Sequence, residues 1–99
     1  MLATDGSCVR IAVSQLTGAL VDIPDWVTGN DVITYCDRLG LICFHQGMGL
    51  VEMDTSVPAV IVYVRENGKG HAEYTHRLDI GLQAIEQHRC TLYAVILSP

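Results

Sequence analysis

The sequence predicts an α+β fold: one small domain over residues 1–99 with a mostly antiparallel mixed sheet of five or six strands and two helices. Three observations lead there. Residues 59–64 and 92–97 are strictly apolar runs of six residues each, rich in valine and isoleucine. Such runs read as strands covered on both faces. Residues 30–39 and 79–88 instead carry apolar positions at helical spacing. Between the two kinds of segment lies Glu66-Asn67-Gly68-Lys69-Gly70, whose Asn-Gly step readily takes positive φ in a hairpin turn.

The elements follow in order. Residues 9–13, Val-Arg-Ile-Ala-Val, read as a strand because three of the five are β-branched. Residues 14–22 fit two readings. Thr17-Gly18 could turn a hairpin back through Ala19 to Ile23, or Ser14 could cap a short helix with Leu16, Ala19, Leu20 and Ile23 on one side. Gly18 weakens the helix, which favours the hairpin. Pro24-Asp25-Trp26 marks a bend. The helix over 30–39 has Thr28 three residues before Asp31, a capping-box spacing with Asp in place of Glu. Its stripe is Val32, Cys36 and Leu39, widened by Ile33 and Tyr35, and Gly40 supplies a left-handed stop.

Residues 41–45 read as a strand, 46–49 as a tight loop and 50–54 as the returning strand. The run at 59–65 is a central strand, and 71–77 pairs back on it. Alternation puts Ala72, Tyr74 and His76 on one face of that strand and His71, Glu73, Thr75 and Arg77 on the other. Asp79 is the expected N-cap of the second helix, with Leu78, Leu82 and Ile85 inward and Gln83, Glu86 and Gln87 outward. His88 and Arg89 sit where cations favour a helix C-terminus.

Composition narrows the function classes. Six basic residues against eleven acidic ones give a net charge of −5, so there is no basic face for nucleic acid. A hydrophobic fraction of 49% argues against disorder. A charged fraction of 17% is low for a soluble domain, and a small domain cannot hide all its apolar surface. A second copy or a ligand is therefore expected to cover some of it. The apolar runs are far short of the roughly 20 residues of a spanning helix, and residues 1–10 lack the pattern of a signal peptide. Cys8, Cys36, Cys43 and Cys90 contain no CxxC pair, so free thiols in a reducing cytoplasm are expected rather than a zinc site. No metal or cofactor is expected.

Candidate chemistry concentrates on one strand. His71 beside Glu73 on one sheet face is the arrangement of a base and a carboxylate that orients it, the pair expected to be catalytic if the protein is an enzyme. A metal there would need a third donor such as His45 or Glu52. Glu52 and Asp54 point the same way on one strand, as the polar side of a strand would. His45-Gln46-Gly47-Met48-Gly49 has no lysine and does not run into a helix, so it is no phosphate loop. No GxSxG nucleophile motif occurs. Tyr63, Tyr74 and Tyr93 fall on strands expected to be neighbours. With Trp26 and His76 they form the expected ligand-binding set, the wider aromatic group including Tyr35 and Phe44 with Met48 and Met53. Ser14-Gln15-Leu16-Thr17-Gly18-Ala19-Leu20 resembles the opening of some phage and prophage proteins; the resemblance implies no activity.

Three functions compete. The first is a non-enzymatic cytoplasmic binding module, a homodimer, taking an apolar, aromatic or cationic small molecule or a protein partner on a sheet face. The second is a small hydrolase or isomerase using His71 and Glu73, which requires a concave site around them. The third is an acidic inhibitor or antitoxin-like adaptor from a mobile element, for which the charge of −5 is the support.

Overall fold

The computed structural model describes residues 8–24, 29–45 and 54–98. In chain order these form α1 (Cys8–Thr17), α2 (Gly29–Arg38), β1 (Ile42–His45), β2 (Ala59–Val64), β3 (Gly70–Thr75), α3 (Leu78–Gln87) and β4 (Thr91–Leu97). The strands make one antiparallel sheet in the order β1-β4-β2-β3. The class is α+β, with four strands and three helices among the described residues.

The two apolar runs become the inner strands. Ile61 lies opposite Val95 and Val60 opposite Ile96. Period-2 alternation divides their side chains between two cores. Val60, Val62, Ala72, Ala94 and Ile96 pack in a core with residues of α1 and α2. Ala59, Ile61, Tyr63, Val95 and Leu97 pack with Leu78 and Ile85 of α3. Both faces are covered, which is why neither run alternates in polarity. Full burial of each such aliphatic side chain contributes about 1.5–3 kcal/mol. The register shifts between Val62 and Tyr63, which face Ala94 and Leu92, so Tyr93 is the extra residue of a bulge. Leu92 packs on the α3 side and Tyr93 on the other.

Residues 9–13 are helical, not a strand. Val9, Ala12 and Val13 are buried and Leu16 packs beside them, the i, i+3, i+4, i+7 stripe of an amphipathic helix. Ile11, which a strand would bury together with Val9 and Val13, is 54% exposed. Tertiary burial of that stripe overrides the β preference of Val-Arg-Ile-Ala-Val. The favoured hairpin at 14–22 is also absent. Gly18 ends α1 at φ 73°, its N–H donating to the Ser14 carbonyl at 2.9 Å. Residues 19–24 then run without regular structure, Val21 and Ile23 buried, Leu20 91% exposed.

α2 matches the expected helix to within a residue at each end, and Val32 and Cys36 are its buried stripe. Leu39 falls beyond the helix, in the turn it shares with Gly40, and is exposed. Thr28 and residues 46–53, including the expected loop and most of the expected strand at 50–54, lie outside the described residues. Asp54 is in a loop, where its carboxylate accepts from the Ser56 N–H at 2.9 Å and hydroxyl at 2.6 Å.

The β2–β3 hairpin closes as expected. Arg65 N–H donates to the Lys69 carbonyl and Gly68 N–H to the Arg65 carbonyl, both at 2.9 Å, with Gly68 at φ 82°. That is a type I turn followed by a left-handed glycine. α3 is capped differently from the sequence expectation. Its N-cap is Arg77, without a side-chain bond, and Asp79 lies inside the first turn. The free N–H groups of Leu78 and Asp79 donate instead to the carbonyls of Val57 and Thr55, at 3.0 and 2.8 Å. The loop before β2 thereby serves as a backbone cap.

Candidate functional site

On the α3 side of the sheet an open groove of about 670 Å³ runs between α3 and the β2–β3 hairpin. It exists because α3 presents small residues there. A Cβ on Gly81 would meet Ile61 Cδ1, and Thr75 Cγ2 at 3.0 Å, so the helix approaches the sheet closely at this glycine. Beyond Gly81 the helix side of the groove is lined by Ala84 and Ile85. Ile61 and Ile85, both buried, form the apolar floor.

The polar wall comes from β2 and β3. Alternation places Ile61, Tyr63 and Arg65 on the groove side of one arm of the hairpin and His71, Glu73 and Thr75 on that of the other. Tyr63 and His71 are direct cross-strand partners, their rings edge to face with centroids 5.5 Å apart. The Tyr63 hydroxyl donates to Glu73 Oε2 at 3.3 Å. His88, at the C-cap of α3, and Cys90 close the far end.

Electrostatics follow from this packing. Burial holds the His71 imidazole below its ordinary range, and the Arg65 cation pushes the same way while Glu73 opposes. The half-buried imidazole is thus neutral at neutral pH. Burial pushes the Tyr63 phenol up, against the pull of a hydrogen bond from Arg65. Among the described residues no hydrogen bond joins Glu73 to His71; the carboxylate bonds the tyrosine hydroxyl instead.

The aromatic residues do not converge. Tyr63 packs in the α3-side core, whereas Tyr74 and Tyr93 pack against the core under α1 and α2. His76 stands edge-on to Tyr74 at 5.2 Å and is exposed. Trp26, Met48, Met53 and Glu52 lie outside the described residues. Of the expected set, His71, Glu73 and Tyr63 face the groove, and Tyr74 borders it while its ring packs on the opposite face.

Sequence reasoning missed Arg65, His88 and Gly81. The signals were present. Arg65 continues the odd-numbered side of β2 beyond Ile61 and Tyr63. His88 falls three and four residues after Ile85 and Ala84, on the same side of α3. A glycine inside a helix costs about 1 kcal/mol and commonly marks a close packing contact. Among the described residues no three His, Cys, Asp or Glu side chains are placed to hold a metal ion. Comparison with family models, curated proteins and solved structures finds no match to this chain.

Proposed function

We propose that the protein is a non-enzymatic binding module that takes a small molecule with an aromatic or apolar body and a cationic end in the groove between α3 and the β2–β3 hairpin. The observation that carries the reading is the groove's division into an apolar floor and one polar wall. Ile61 and Ile85 offer the floor, and the hydrogen-bonded Tyr63 and Glu73 pair stands on the wall. Its volume of about 670 Å³ falls in the range of small-molecule sites, and such sites combine mostly apolar lining with a few fixed polar groups. Glu66 and Glu73 against Arg65 leave the lining with a formal excess of one negative charge, histidines aside, which favours a cation over an anion.

The acid–base enzyme is less well supported. A base needs a partner that fixes its ring, and Glu73 accepts its hydrogen bond from Tyr63 rather than from His71. The inhibitor reading rests on net charge alone.

A matched pair of probes tests the proposal: tryptamine and indole-3-propionate, which share an indole and differ in the charge of the tail. Thermal unfolding should shift upward with the amine and much less with the acid. Glu73→Gln should weaken amine binding by about tenfold, the scale of one hydrogen bond to a charged group. Ala84→Leu, which fills the groove from the helix side, should abolish binding. No shift with either probe, or an equal shift in the Ala84→Leu protein, overturns the reading.

A further inference from the structure

We propose that Cys36 and Cys43 are a reversible redox pair, closing to an intramolecular disulfide by exchange with a small-molecule disulfide of the glutathione class. The two residues lie on either side of a tight chain reversal. Leu41 N–H donates to the Cys36 carbonyl at 2.9 Å and Gly40 N–H to the Asp37 carbonyl at 3.1 Å, with Gly40 at φ 71°. This helix-ending motif turns the chain so that β1 returns beneath α2. Cys36, only 1% exposed, is on the buried stripe of α2, and alternation along β1 turns Cys43 into the same core. Both are free thiols, and each is the main influence on the other's ionisation.

Neither other cysteine has such a partner. Cys90 packs with the core on the opposite face of the sheet, where its thiol donates to the His88 carbonyl at 3.7 Å. Cys8 sits on α1 and packs beside the core there.

The pair is asymmetric, and the asymmetry assigns the order of events. Cys43 is partly exposed and Cys36 buried. The neighbouring Cys36 thiol lowers the pKa of Cys43, against burial, while Cys43 and then burial raise that of Cys36. The Cys43 thiolate therefore attacks one sulfur of oxidised glutathione, its S–S bond breaks, and one glutathione leaves as thiolate and takes up a proton. Cys36 then loses its proton and its sulfur attacks that of Cys43. The mixed disulfide breaks and the second glutathione leaves as thiol. The two cysteines lose two electrons and two protons, and the glutathione disulfide gains them.

Tryptic mapping tests this on the whole chain. Arg10, Arg38, Arg65 and Arg89 separate the four cysteines into different tryptic peptides. The protein is equilibrated in glutathione buffers of increasing oxidised fraction, quenched in acid, denatured, alkylated with N-ethylmaleimide and digested. The expected result is a single linked pair, peptide 11–38 joined to 39–65 within one chain, with the labels on Cys36 and Cys43 lost together. Cys8 and Cys90 keep theirs over the range where that pair forms. In Cys36→Ser, Cys43 should retain a glutathione adduct; in Cys43→Ser, Cys36 should carry none. Labels kept on both Cys36 and Cys43 throughout the redox range overturn the proposal. So does a dominant link to Cys8 or Cys90, or one formed between chains.

Discussion

His71 shows how one strand position sets a local property. Its backbone pairs with Tyr63, so its ring is placed against another ring and partly out of water. Burial, and next the Arg65 cation, disfavour the protonated imidazole, and Glu73 offsets only part of that. The folded state therefore binds this proton more weakly than the unfolded chain, whose histidine titrates near 6.5. Where the unfolded state holds more protons, stability rises with pH. The contribution is fully present above 6.5 and is lost as the pH falls from there through the lowered folded value. Chemical denaturation from pH 7 down to pH 5 should show stability declining, and His71→Gln should flatten the slope. An identical slope in the variant would mean that the ring is not held away from water. The His71–Glu73 row was readable from alternation alone, since a period of two needs no tertiary knowledge. That Glu73 would bond Tyr63 was not readable, because it depends on the register between two strands.

The helices and strands differ in how much they reveal of themselves. β2 and β4 were legible because six consecutive apolar residues have no polar side to present, so they must lie inside a sheet. α1 was not, because Val9, Ile11 and Val13 fit strand alternation while Val9, Ala12, Val13 and Leu16 fit a helix. Which pattern wins is decided by the sheet it packs on, and α1 packs on β3 and β2. The start of α3 was misread for a similar reason: a loop distant in sequence, 54–58, satisfies its N–H groups. The seat of α3 depends on Gly81. Gly81→Val puts branched carbon where Ile61 and Thr75 already stand. Overpacking of this kind costs about 1–3 kcal/mol, and the gain in helix propensity offsets at most about half a kcal/mol. Urea unfolding should show a net loss of about 1–2 kcal/mol, with Gly81→Ala milder because its propensity gain is larger. A Gly81→Val protein as stable as the parent would show that α3 does not approach the sheet there.

At the scale of the molecule, apolar surface remains after both cores are filled. The chain is 49% hydrophobic with a mean hydropathy of +0.30, and Ile80, beside the groove, is 58% exposed. α3 packs chiefly on β2, and also on β3 and β4, which leaves the β1 end of that face outside its main contacts. Ile42 on β1 is 42% exposed there, next to the half-buried Phe44 two residues on. Exposed apolar area of this kind is costly in water and is commonly covered by a partner. A second copy would bring the same edge to itself around a two-fold axis, and among the described residues β1 is an edge strand of the sheet. Light scattering should accordingly return twice 10.8 kDa, about 21.6 kDa, at micromolar concentration. Ile42→Lys places a charge on that edge and should return the mass of one chain without loss of the folded signal. A parent protein that scatters as a single chain would leave composition, rather than association, as the reason for its apolar surface, and the groove beside α3 would then be the place where that surface is used.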